Sequence, residues 1–103
     1  MASNQVERTR MRAHKPSVKL EDWAVVESAN TASYQSLGPG NLLVGRAFGH
    51  QRIKTGMFIF TSPIVDIDAQ NKIVETRNTC YCLGEPSREY KEWIRGQQTG
   101  AAA

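Results

Sequence analysis

The order of apolar and polar positions predicts short β-strands along most of the chain. Residues 22–28 (DWAVVES) and 41–48 (NLLVGRAF) are short runs rich in large apolar residues, as is typical of buried strands. The longest apolar run, residues 57–68 (MFIFTSPIVDID), is followed after a short AQNK turn by residues 73–83 (IVETRNTCYCL). These last two runs predict one antiparallel hairpin.

Glycine and proline mark the irregular points of this pattern. Gly45 lies inside the second strand and predicts a bulge or a close approach of another backbone, and Pro63 predicts a bulge or an edge. Residues 29–40 are small and polar and end in GPG, so they predict a loop. Residues 49–56 (GHQRIKTG) predict a polar connection bounded by glycines.

The hairpin predicts a register in which Asp68 lies opposite Ile73. Asp66 then comes within cross-strand reach of Arg77. In the same register one face carries four large apolar residues, Phe58, Phe60, Tyr81 and Leu83, while Cys80 and Cys82 point to the other face. That end of the hairpin is apolar on both faces, as expected for a strand in a barrel or sandwich. A slip of one residue would exchange the two faces.

A helix is predicted over residues 88–95 (REYKEWIR). Tyr90, Trp93 and Ile94 have the spacing of one helical stripe. Ser87 is the expected N-cap, and Gly96 is the expected stop. A helix this short needs its apolar stripe to pack on the sheet.

The predicted fold class is mainly β (α+β): a small antiparallel barrel or half-barrel of about four to five strands with a short C-terminal amphipathic helix. With 103 residues the chain has room for a single domain. The predicted organisation is a disordered basic arm at residues 1–18, a β-rich domain with the helix at residues 19–96, and a frayed tail at residues 97–103.

Charge is concentrated in the N-terminal arm. Residues 1–20 have a net charge of +4 and the remainder has −1, which together give the net +3 of the chain. Such an arm can bind nucleic-acid phosphates weakly and without sequence preference. The candidate phosphate contacts are Arg8, Arg10, Arg12 and Lys15. The chain has no apolar run long enough for a membrane span and no secretory signal at its start, so a cytoplasmic protein is predicted.

Cys80 and Cys82 are interpreted as small buried core residues. Cysteines two apart in a strand point the same way, which suits neither a disulfide nor the paired ligand pairs of a zinc site. Asp66 and Asp68 raise the question of a divalent cation, but alternating acids at a strand end are more typical of solvent-facing residues. No metal and no cofactor are predicted, and the glycines form no nucleotide-binding fingerprint.

Two polar groups are candidates for a site. His50 and Arg52 form a basic loop tip, and this histidine is expected to bond the backbone rather than to act with Thr61 or Ser62 in catalysis. Arg77 and Asn78 could clamp a carboxylate, although a pairing of Arg77 with a neighbouring acid is the simpler interpretation. No catalytic residue and no enzymatic activity are predicted.

Five segments (DWAVVE, LVGRAFGHQR, TSPIV, VETRNTCYCLG and EYKEWI) resemble a family of small bacterial proteins, often prophage-encoded, that has no assigned activity. The resemblance spans about three quarters of the chain. It implies no catalytic residues. From this resemblance we expect the protein to act on a host process.

The sequence thus predicts a small non-enzymatic protein-interaction module, an inhibitor or accessory factor acting on a host or phage protein. The candidate partner-binding residues are Phe48, His50, Arg52, Ile53, Arg77 and Asn78. The alternative is a nucleic-acid-associated protein that uses the basic arm. A homodimer through an exposed edge strand is a further expectation.

Overall fold

The computed structural model describes the backbone of residues 15–102 and the side chains of residues 15–97. These residues form five strands and one helix. In chain order the elements are β1 (Ser17–Val26), β2 (Leu42–Phe48), β3 (Met57–Asp68), β4 (Ile73–Thr76), β5 (Cys80–Leu83) and α1 (Arg88–Ala102).

The five strands close into a barrel in sequence order. Consecutive strands pair antiparallel, and β5 closes the ring by pairing in parallel with β1. The predicted fold class, a small mainly β barrel with a C-terminal helix, is confirmed. The parallel pair follows from the number of strands: because consecutive strands alternate in direction, the first and the fifth run the same way.

β1 begins earlier than the sequence pattern predicted. Val18 and Leu20 are buried and alternate with the polar residues Ser17 and Lys19, so the chain enters the barrel at the end of the supposed arm. Ser17 and Val18, which the prediction assigned to the arm, are therefore part of β1. Residues 1–14, for which disorder was predicted, lie outside the described residues.

Gly45 lies where β1 and β2 cross closely. A Cβ atom at this position would come within 2.8 Å of the Glu21 carbonyl oxygen and 3.1 Å of the Trp23 Cα. The register of β1 against β2 shifts at the same point, between Glu21 and Ala24. The predicted close backbone approach is confirmed, and only glycine leaves room for it.

The hairpin after β3 is shorter than predicted. Asp68 does pair with Ile73, but residues 73–83 are two strands rather than one. The chain reverses at Arg77 and Asn78, where the Thr76 N–H donates to the Thr79 carbonyl oxygen at 2.9 Å. β5 consequently pairs with β4 and β1.

The predicted shared face of β3 and β5 is therefore wrong. Residues 57–63 of β3 pair with β2, so Phe58 lies opposite Arg46 and Phe60 opposite Val44. Pro63 marks the change of partner, because the register is irregular on both sides of it and β4 takes over from Ile64 onward. The bulge predicted at this proline is confirmed.

The helix α1 begins as predicted. Ser87 Oγ accepts the Tyr90 N–H at 3.1 Å, which is the expected N-cap bond. Tyr90 is buried and stacks on Trp93 with ring centroids 5.7 Å apart. The predicted end at Gly96 is wrong, because the helix continues to residue 102 and this exposed glycine does not adopt a positive φ. The backbone of most of the predicted frayed tail is therefore helical.

The core fills the barrel and extends under the helix. Leu20, Val25 and Leu43 are fully buried inside the barrel. Ala24 and Val26, which point to the other face of β1, are also buried, because Tyr34 and α1 cover this face. The barrel wall under the helix is thus closed on both faces.

Candidate functional site

A cavity of about 550 Å³ lies beside the first half of β3. Four consecutive residues of this strand, Ile59, Phe60, Thr61 and Ser62, line it. Successive strand residues point to opposite faces, so a cavity that touches all four must run along the edge of the strand. We refer to this cavity as the β3 slot.

The other walls of the β3 slot come from three further parts of the chain. The β4–β5 turn contributes Asn78 and Thr79, and β5 contributes Tyr81. The start of the described chain contributes Pro16 and Val18. The β2–β3 loop closes one end with residues 50–53. The slot is therefore the gap between β3 and the β5–β1 side of the barrel.

The slot is open because β3 changes partners at Pro63. Residues 57–63 pair with β2 on one side, and β4 pairs with β3 only from Ile64 onward. On the side of the slot, no strand within residues 15–102 pairs with residues 57–63. Backbone N–H and C=O groups at such an edge are the groups that can pair with another chain.

The same half of β3 carries exposed apolar side chains. Phe58 and Phe60 are 53% and 56% exposed, and their rings meet edge to face with centroids 5.9 Å apart. Met57 and Val65, on the same strand, are similarly exposed. The sequence pattern predicted that this end of the hairpin is apolar on both faces, and the structure shows that the apolar outer face of β3 is exposed.

His50 organises the loop at the end of the slot. Its Nδ1 atom accepts the Arg52 backbone N–H at 3.0 Å, an arrangement that assigns the ring proton to Nε2. The backbone bond predicted for His50 is present. A nucleophile–histidine–carboxylate arrangement would instead need a carboxylate at Nδ1.

The structure brings four of the six predicted partner-binding residues together. His50, Arg52, Ile53 and Asn78 line the β3 slot. Phe48 is half-buried at the end of β2 and does not line it. Arg77 is exposed in the β4–β5 turn next to Asn78, and it also does not line the cavity.

Positive charge without a carboxylate partner collects around the slot. Arg52, Lys54 and Arg77 form no ion pair with any described residue, whereas most other described cations do. The pairing of Arg77 with Glu75, one form of the simpler interpretation, is not observed, because Glu75 pairs with Lys15. No aspartate or glutamate is found among the residues that line the slot.

Two hydroxyl groups in the slot already have partners within the fold. Thr61 Oγ1 accepts the Leu43 N–H at 3.0 Å and donates to the Ser62 carbonyl oxygen at 2.8 Å. Burial raises the pKa of the Tyr81 phenol, and a hydrogen bond with the Thr79 side chain partly opposes that rise. Tyr81 is therefore both a core residue, as predicted, and part of the slot wall.

The two cysteines differ in exposure. Both are free thiols, Cys80 is buried and Cys82 is exposed on β5. The prediction that both are core residues is wrong for Cys82, which points away from the interior on a strand without a cover at this position. Within residues 15–97, no group of three or more histidine, cysteine, aspartate or glutamate side chains could hold a metal ion.

Lys15 is used inside the fold. Its ammonium group pairs with the buried carboxylate of Glu75 and donates to the Thr76 carbonyl oxygen at 3.1 Å. This contact fastens the chain before β1 to β4. The other three candidate phosphate contacts, Arg8, Arg10 and Arg12, lie outside the described residues.

Several slot residues were not identified from the sequence. The sequence pattern places Phe60 and Tyr81 on an apolar packing face and gives no role to Thr79, yet all three line the slot. The available signal was Pro63, which predicted a bulge or an edge but not that an open edge runs from this proline back to Met57. That position depends on where β4 leaves β3, a long-range property that local patterns do not contain.

Comparison with known protein families, with curated proteins and with solved structures finds no match for this chain. None of the helices in the described part of the chain is long and apolar enough to cross a membrane.

Proposed function

We propose that this protein is an interaction module that binds an extended segment of another protein by strand addition to β3. The observation that supports it is the edge of residues 57–63, which has a strand partner on one side only and borders the β3 slot on the other. Strand addition is a recurrent way to bind a peptide: backbone hydrogen bonds supply affinity, and pockets for alternate side chains supply specificity.

The two faces of the added strand would contact different residues of the protein. Its side chains alternate between the slot and the outer face of the barrel. Those that enter the slot meet Ile59, Asn78 and Tyr81, and those on the outer face meet Phe58 and Phe60. Large aromatic side chains are typical anchors of protein interfaces.

The resemblance to small prophage-encoded proteins supports a host or phage protein as the target of this module. An inhibitor or accessory factor of a host or phage protein would need only a binding surface. The two free thiols suit a reducing compartment, so a cytoplasmic location is part of the proposal. We do not favour nucleic acid as the partner, because Lys15 is committed to Glu75.

A displayed library of random short peptides tests the proposal without a known partner. Enriched peptides should protect from hydrogen exchange those backbone amides of residues 57–62 that point toward the slot and not toward β2. N-methylation of alternate peptide residues should abolish binding, because it removes the donors of a ladder. Phe60→Ser should weaken binding by about fivefold or more, a typical anchor effect. Val65→Ser, at an equally exposed position on the same strand but away from the slot, should leave binding unchanged.

Two results would contradict the proposal. One is an enriched peptide whose protection maps to another surface, such as the outer side of α1. The other is protection of residues 57–63 by a second copy of the chain at micromolar concentration, detected as a dimer by sedimentation, which would make the edge a homodimer contact.

A further inference from the structure

We infer that the segment bound at β3 carries an aspartate or glutamate whose carboxylate enters the β3 slot. This inference rests on the proposed function and specifies the chemistry of its partner. It assigns to the slot the role of an acidic side-chain subsite formed by Arg52, Asn78 and the hydroxyl groups beside them.

The charge distribution is the first argument. Lys19, Arg46 and Lys91 each have a carboxylate within 3.5 Å, so the body of the protein balances most of its surface cations. Around the slot this balance is missing. Arg52 lines the cavity with no described carboxylate partner, and Arg77 lies next to the lining residue Asn78.

The arrangement of donors is the second argument. Arg52 has a planar group that can bind a carboxylate through two hydrogen bonds. Asn78 and Ser62 add an amide and a hydroxyl from the other walls. The bond from the Arg52 backbone N–H to His50 Nδ1 fixes the loop that presents the guanidinium group. An anion in the slot would therefore meet donors from three separate elements.

The apolar wall of the slot is the third argument. Val18, Ile53 and Ile59 line the same cavity. A bound segment that covers these apolar side chains would exclude water from the slot, and a charge pair is stronger where water is excluded. They also provide a surface for the aliphatic stem of the incoming acidic residue. The subsite therefore fits a side chain better than it fits a small inorganic anion.

The same chemistry distinguishes the proposed occupant from a second copy of the chain. Residues 57–63 (MFIFTSP) contain no charged side chain, so the β3 strand of another copy would leave the slot cations unpaired. The first 14 residues of the chain carry Arg8, Arg10 and Arg12 against Glu7, which gives them the same sign as the slot. An acidic segment of another protein can pair with the β3 edge and also neutralise the cations around the slot.

The experiment uses one peptide enriched in the library and measures its affinity by fluorescence anisotropy. Peptides with aspartate or glutamate at one fixed position should be enriched. Replacing that residue by its amide should lower affinity for the wild-type protein about tenfold, since hydrogen bonds to charged groups are among the stronger ones. Arg52→Gln should cause a similar loss and make the acid and the amide peptide bind alike.

Lys54→Gln is the matched control. It removes one positive charge from the same loop, at an exposed residue that does not line the slot. It should reduce affinity by less than about threefold, and equally for both peptides, as expected of an exposed, screened charge outside the slot lining. Circular dichroism and urea denaturation establish that each variant is folded.

The outcomes separate the two proposals. Peptides that protect residues 57–63 but show no acidic preference would overturn the acidic subsite and leave strand addition in place. An acid preference that is equally sensitive to Lys54→Gln and Arg52→Gln would also overturn it, because general electrostatic attraction would then suffice. Absence of any peptide that protects residues 57–63 would overturn strand addition itself.

Discussion

Two cavities lie at opposite ends of the strands, and they differ in the exposure and bonding of the residues around them. The β3 slot uses the beginning of β3 and β5, whereas a second cavity of about 270 Å³ uses their ends. We refer to the second cavity as the apolar cavity. The backbone of the strands around it is hydrogen-bonded; for example, the Gly84 N–H donates to the Leu20 carbonyl oxygen at 2.8 Å. It is lined mainly by apolar side chains, among them Trp23, Leu37, Ile67, Ile73 and Leu83.

The contrast separates residues that hold the fold from residues available for binding. Around the apolar cavity, Trp23 Nε1 donates to the Gly84 carbonyl oxygen at 3.0 Å and the indole contacts Tyr90. Around the slot, Phe60 is exposed and Arg52 has no described ion-pair partner. We therefore expect substitutions at the apolar end to change stability and those at the slot to change binding.

The largest expected effect on stability is at Trp23. Trp23→Ala removes a half-buried indole, its contact with Tyr90 and its hydrogen bond to Gly84. We expect the free energy of unfolding to fall by about 3 kcal/mol, at the lower end of the range for such truncations. Urea denaturation followed by circular dichroism measures it. Phe60→Ala, the aromatic truncation at the slot, should lower the free energy of unfolding by less than about 1 kcal/mol. Equal losses in the two variants would contradict the division between residues that hold the fold and residues available for binding.

The next effect is a loss of stability at alkaline pH. Burial raises the pKa of Tyr90 to about 12 from the ordinary value of 10.0. The folded protein therefore holds this proton more tightly than the unfolded chain. Its contribution is complete below pH 10 and is lost as the pH rises toward 12, by about 3 kcal/mol in total.

Urea denaturation between neutral pH and pH 12 checks this prediction. Tyr90→Phe should flatten the alkaline fall, although it also removes the hydrogen bond from the Tyr90 hydroxyl to the Gln35 carbonyl oxygen. A variant that retains the full slope would show that the alkaline loss arises elsewhere. Tyr81 in the slot wall also has a raised pKa, so some slope should remain in Tyr90→Phe.

A smaller effect is expected for the serine that begins the helix. Ser87→Ala removes the acceptor of the Tyr90 N–H, and helix N-caps typically contribute about 1 kcal/mol. Ser62→Ala makes the same chemical change at an exposed position in the slot. It should change the unfolding free energy by less than about 0.5 kcal/mol. Similar values for the two variants in thermal denaturation would contradict the prediction.

Local patterns were sufficient for much of the fold. The span of β3, the Asp68–Ile73 pair, the close approach at Gly45 and the Ser87 N-cap each depend on neighbouring residues or on one steric requirement. Such features leave a direct trace in the sequence. The barrel class followed from these elements, because short apolar strands in series with one helix have few compact arrangements.

The site could not be predicted in the same way. His50, Arg52 and Asn78 were singled out by residue type, but their convergence depends on the reversal after Thr76, which the apolar run at residues 73–83 concealed. The exposure of Phe58 has the same origin. An apolar strand is equally compatible with a covered and an open edge, and only the pairing of the neighbouring strands decides between them.

The smallest expected effect on stability is at Arg52, and its small size is informative. Arg52→Gln removes an exposed cation that has no described carboxylate partner and leaves the backbone bond to His50 in place. We expect a change below about 0.5 kcal/mol. The change should depend little on salt, because an exposed charge without a described partner contributes little to the folded state. Denaturation midpoints at low and high salt measure it. A clear loss of stability would mean that Arg52 stabilises the loop. Its side chain would then be used within the fold and would not be available to bind the carboxylate of a partner.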